Sequence, residues 1–138
     1  MARNIAGQTA SNAIAGNVLH QQGKLVYDAT AITTTDYTQI DLGFQPRKVV
    51  WWNATDRIKL EWFDGMAQDS ALKTAANGTQ TLEVTGGNHG ITVSTPGSVT
   101  VGGVVAGGPA STGYFQVSQN ATLGAIAASK TIYWEAWA

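Results

Sequence analysis

The stretch RKVVWWNATDRIKLEWF, Arg47 to Phe63, decides the fold. Val49, Val50, Trp51 and Trp52 are apolar on both faces of a strand, the pattern of a central strand covered on both sides. From Arg57 the pattern becomes an alternation. Ile58, Leu60 and Trp62 fall on one face, and Arg57, Lys59 and Glu61 on the other, which predicts a half-buried strand with a solvated mixed-charge face. Between the two, Asn53 to Asp56 has turn chemistry, because an Asn or Asp side chain bonds nearby backbone. Strand, turn and strand make a hairpin.

The same grammar extends in both directions. Lys24 to Ala31, Asp36 to Leu42, Thr79 to Thr85, Gly90 to Thr95, Ser98 to Val105, Tyr114 to Ser118 and Thr131 to Trp137 read as further strands. Thr79 to Thr85 places Leu82 and Val84 on one face and Thr81, Glu83 and Thr85 on the other. Asp64-Gly65 and Asn77-Gly78 supply the positive φ that tight turns require, and Pro96-Gly97 marks another turn. The chain holds 17 Thr, a β-branched residue enriched in strands. Only Met66 to Ala76 looks different, either a short helical excursion or a loop across one end of the sheets. Eight or nine short strands predict an all-β fold, an antiparallel β-sandwich or barrel of jelly-roll type.

Residues 1–23 stand apart. They carry one charge, Arg3, and few apolar residues. Ile14 and Val18 share a helix face by spacing, but Gly7 and Gly16 each weaken a helix by about 1 kcal/mol. This segment predicts an extended or short-helical arm that orders on a partner surface through Ile5, Ile14 and Val18. Residues 24–138 form the β domain.

Composition narrows function by exclusion. The chain has 138 residues, 16 Gly, 5 Trp, 2 His and no Cys. Without Cys there is no disulfide scaffold, thiol nucleophile or Cys-ligated zinc. A net charge of −1 lacks the concentrated basic face that nucleic acid needs. No apolar run has the length of a membrane span, and no secretory h-region is evident at the N-terminus. His20 and His89 have no metal-ligand spacing around them, and neither has a Ser and an acid nearby in a recognisable motif. Glu61 alternates with Arg57 and Lys59, so it belongs to a solvated face rather than to a pair of acids poised across a sugar. The Gly-rich stretches Gly86 to Gly90 and Gly102 to Pro109 lack the Lys and the strand-to-helix context of a phosphate cradle. No cofactor or metal is expected.

The aromatics carry the remaining signal. Adjacent Trp51 and Trp52 must face opposite sides of one strand, and Trp134 and Trp137 also differ in parity. They make a Trp-rich core, or one of them, Trp52 or Trp137, buries against another subunit. A sugar-stacking platform is the third use of such rings.

Tyr37 to Met66 resembles a recurrent pattern in small structural proteins of tailed bacteriophages. Its marks here are Ile40-Asp41-Leu42-Gly43-Phe44, then Pro46-Arg47, the Asn53 to Asp56 turn, and Glu61-Trp62-Phe63-Asp64-Gly65-Met66. Thr79 to Val93 and the terminal Ile132 to Ala136 are similar to the same group. Arg47 can fork onto a carboxylate such as Asp41 or Asp64. The resemblance implies a non-catalytic virion protein made in the host cytoplasm. A capsid decoration (cement) protein, trimeric and bound to the major capsid protein, fits first. A fibre, head-fibre or baseplate module that binds host glycans is the alternative. Neither involves nucleic acid or a membrane. Contact is then expected through the arm, Arg47, Trp52 and Trp137.

Overall fold

The computed structural model describes residues 20–30, 36–87, 89–94, 98–101, 104–107, 113–118 and 129–138. The arm positions Ile5, Ile14 and Val18 lie outside these residues, as does the Pro96-Gly97 turn. The described chain contains eleven strands and no helix: β1 (His20–Val26), β2 (Tyr37–Asp41), β3 (Lys48–Asn53), β4 (Ile58–Phe63), β5 (Ala71–Thr74), β6 (Gln80–Glu83), β7 (Ile91–Val93), β8 (Ser98–Val101), β9 (Val104–Gly107), β10 (Tyr114–Ser118) and β11 (Thr131–Trp137). All pairings between them are antiparallel. One sheet has the order β1-β11-β3-β4-β5-β6 and a second the order β2-β10-β7, while β8 and β9 form a separate ribbon.

The two larger sheets close on one core. Leu25, Val49, Trp51, Leu60, Trp62, Ile132 and Trp134 of the large sheet join Ile40, Ile91, Val93, Phe115 and Val117 of the small one in a single buried cluster. Phe115 stands edge-on to two tryptophans. Its ring centroid is 6.1 Å from Trp51 and 5.5 Å from Trp134. Such pairs add about 0.5–1.5 kcal/mol beyond the area they bury. The architecture is therefore a β-sandwich.

The hairpin that decided the fold is present, and side chains fix its turn. Asn53 is fully buried; its Oδ1 accepts the Asp56 backbone N–H at 3.0 Å and its Nδ2 donates to Asp56 Oδ2 at 2.9 Å. Lys130 Nζ reaches Asp56 Oδ1 at 3.2 Å, tying the turn to the start of β11. Gly65 and Gly78 have φ of 95° and 88°, as their turns demand.

Four local expectations change. His20 to Gly23 are not part of an arm; they pair with Trp137 to Trp134 as the first half of β1. Met66 to Ala76 is neither helix nor plain loop, because Ala71–Thr74 pairs with both β4 and β6. Ser98 to Val105 is not one strand but falls in two, β8 and β9, which pair with each other. On β6 the acid is the residue that faces in. Glu83 opposes core residue Ala71, so Leu82 falls opposite Leu72 and lies 61% exposed.

Candidate functional site

The register of the large sheet stacks its outward residues into rows that run across the strands. One row is His20, Trp137, Lys48 and Phe63. The next is Gln22, Glu135, Val50, Glu61, Leu72 and Leu82. The third is Lys24, Tyr133, Trp52, Lys59, Thr74 and Gln80. Trp52, Tyr133 and Phe63 are 46%, 43% and 39% exposed. The central strand β3 is thus covered on one face only, contrary to its apolar run. Trp51 is in the core and Trp52 meets solvent. A soluble domain seldom leaves so many rings together on one face unless something uses them.

The first row is interlocked. The rings of His20 and Trp137 are 4.9 Å apart, tilted by 31°. Lys48 Nζ sits 4.8 Å from the Trp137 centroid and 5.4 Å from that of Phe63, within reach of both ring quadrupoles. Arg47 lies at the same end. Its backbone N–H donates to the Trp137 carbonyl at 2.7 Å, and its guanidinium Nη2 is 3.0 Å from Asp64 Oδ2. The predicted carboxylate partner is therefore Asp64. Both side chains are more than half exposed, so the ion pair adds little stability. The first residue of β1, His20, stands at this end as well.

The third row lies about four residues further along the strands, roughly 13 Å away. Trp52 and Tyr133 are register partners with centroids 6.3 Å apart and planes tilted by 44°. Lys24 Nζ lies 5.8 Å from the Tyr133 centroid. Lys59 is paired with Glu61 at 2.8 Å. The structure thus groups Arg47, Trp137 and His20, and sets Trp52 apart from them. Tyr133 and Phe63 complete the face. Parity identifies Tyr133 once Trp134 is known to be buried.

A His–Asp–Ser group does assemble, unsignalled in the sequence. Asp69 Oδ2 is 2.5 Å from His89 Nδ1, and Asp69 Oδ1 accepts from the Gly90 N–H and the Ser118 hydroxyl, each at 3.1 Å. A catalytic serine needs the imidazole between itself and the acid, to take its proton. Here the acid is in the middle, so the group works as a clamp joining the 66–70 loop, the start of β7 and the end of β10. Among the described residues no cluster of three or more His, Asp or Glu could hold a metal ion. No helix among them is long and apolar enough to cross a membrane. Comparison with protein-family models, curated proteins and solved structures finds no match to this chain.

Proposed function

We propose that the chain is a non-catalytic structural protein of a tailed-phage virion. In this reading it is a capsid decoration protein that docks on the major capsid protein through the arm end of its large sheet and assembles as a homotrimer. The observation that carries the contact surface is the convergence at that end. The arm junction at His20, the Trp137–Lys48–Phe63 stack and the exposed Arg47–Asp64 pair lie side by side. Rings presented with charged neighbours suit a contact whose centre is dry and whose rim is polar. The virion assignment itself rests on the sequence resemblance.

The test begins with purified virions. Quantitative mass spectrometry should find the protein in the head at high copy number; absence from the head, or a copy number below tens, contradicts the reading. Sedimentation at micromolar concentration should give a trimer, and a strict monomer both there and on the capsid contradicts that part. Deleting residues 1–19 should leave the β domain folded and weaken attachment to the capsid. The cut stops at residue 19 because His20 to Gly23 belong to β1.

A further inference from the structure

Three shallow hollows lie in series along the third row, and they share walls. The first, about 370 Å³, is lined by Gln22, Lys24, Tyr133 and Glu135 among others. The second, about 180 Å³, is lined by Tyr133 and Glu135 again, with Val50, Trp52 and Lys59. The third, about 510 Å³, is lined by Trp52 and Lys59 again, with Arg57 and Thr74. Tyr133 separates the first hollow from the second, and Trp52 the second from the third. The result is a groove that crosses the strands, with an aromatic ring at each division and polar side chains in every segment.

The chemistry of this lining selects among ligands. A pyranose ring has an apolar C–H face and a rim of hydroxyls. Exposed Trp and Tyr faces take up the first, while carboxylates, amides, ammonium groups and hydroxyls bond the second. Charge argues against a polyanion. Lys59 is paired with Glu61 at 2.8 Å, and Lys24 shares the first hollow with Glu135, so only Arg57 adds charge that no nearby acid offsets. Little net field is left to attract phosphates. The succession of similar hollows suits a chain of similar units rather than one compact molecule. We infer that the Tyr133–Trp52 groove is a binding site for a neutral oligosaccharide, with Trp52 as its principal stacking surface. The inference does not depend on the virion reading, because the site is complete within one chain.

The full-length protein should be titrated by calorimetry with cello-, chito-, malto- and xylohexaose and applied to an array of neutral glycans. Binding to at least one is expected, changing little between about 50 and about 500 mM NaCl, because no ion pairs form with the ligand. Trp52→Ala should weaken it by roughly tenfold or more, the loss of one stacked ring, and Tyr133→Ala should also weaken it. Trp137→Ala, in the other row, should leave it unchanged. Trp52 is largely outside the core, so its variant should stay folded and melt within a few degrees of wild type, which separates lost binding from lost folding. The inference is overturned if no neutral glycan binds. It is also overturned if binding survives both Trp52→Ala and Tyr133→Ala, or if it falls steeply with salt as for a polyanion.

Discussion

The two sheets share one core and differ in what they show to solvent. Outside the small sheet lie Tyr37, Gln39, Asp41, Thr92, Tyr114 and Gln116. Gln116 Nε2 donates to Gln39 Oε1 at 3.0 Å, and Gln39 Nε2 donates to Asp41 Oδ1 at 2.7 Å. That face satisfies itself and is comfortable in water. Outside the large sheet lie Trp52, Phe63, Tyr133 and Trp137, with lysines over three of those rings. Strand alternation is the same in both sheets, so the difference is in the outward residue types alone. The small sheet's outward rings are the two tyrosines Tyr37 and Tyr114, whereas the large sheet presents two tryptophans, a phenylalanine and a tyrosine.

The contrast is sharpest between neighbours on one strand. Trp51 is fully buried against Phe115, whereas Trp52 is 46% exposed. Trp51→Ala should cost about 3–5 kcal/mol, the usual range for an aromatic deleted from a core. Trp52→Ala should cost no more than about 0.5 kcal/mol. Urea unfolding of the two variants checks both values, and equal costs would mean that the outer face is not free surface.

Two further changes probe what keeps the small sheet in place. A Cβ on Gly113 would fall on the Phe44 carbonyl, and the Gly113 carbonyl accepts the N–H groups of Leu42 and Gly43 at 2.8 and 3.2 Å. Gly113→Ala forces that backbone apart and should destabilise by about 1–3 kcal/mol or more, seen as a lower denaturation midpoint. Tyr27, just beyond β1, hydrogen-bonds Thr38 of β2 and so bridges the sheets. Burial pushes its hydroxyl above the usual tyrosine range, with the Thr38 bond pulling partly the other way. The unfolded chain loses this proton from about pH 10 while the folded chain keeps it. The unfolded state then binds fewer protons, and stability falls as pH rises past that point. Tyr27→Phe should cost about 1 kcal/mol at neutral pH, a deficit that shrinks above about pH 10. Urea melts from pH 7 to alkaline pH test this, and a constant difference contradicts it.

Much of the fold was legible locally. The alternation of Ile58, Leu60 and Trp62 and the Asn53 to Asp56 turn need only near neighbours to be read, whereas the choice of Asp64 over Asp41 for Arg47 needed the β3–β4 pairing. What escaped depends on distant partners. Ala71–Thr74 has little β propensity, and it is a strand because β4 and β6 flank it. His20 to Gly23 look polar and unstructured, yet β11 recruits them, and Gln21 Nε2 donates to the Leu42 carbonyl at 2.8 Å. The inward turn of Glu83 follows from the β5 register rather than from its own window. His89 and Ser118 lie 20 and 49 residues after Asp69 along the chain, so no motif announces their clamp. For the candidate site, opposite parity of Trp51 and Trp52 was readable, but which of them faces out was not. Trp137 and Arg47 could be nominated singly; their meeting with His20 at one end needed the β1-β11-β3 order.

The central claim is that the large sheet's outer face is the working surface and the small sheet's is not. Hydroxyl-radical footprinting of the protein, alone and on intact phage heads, tests it directly. Trp137 and Phe63 should lose reactivity on the head, while Tyr37 and Tyr114 on the small sheet keep theirs. Equal protection of both faces, or protection of the small sheet alone, would contradict the account.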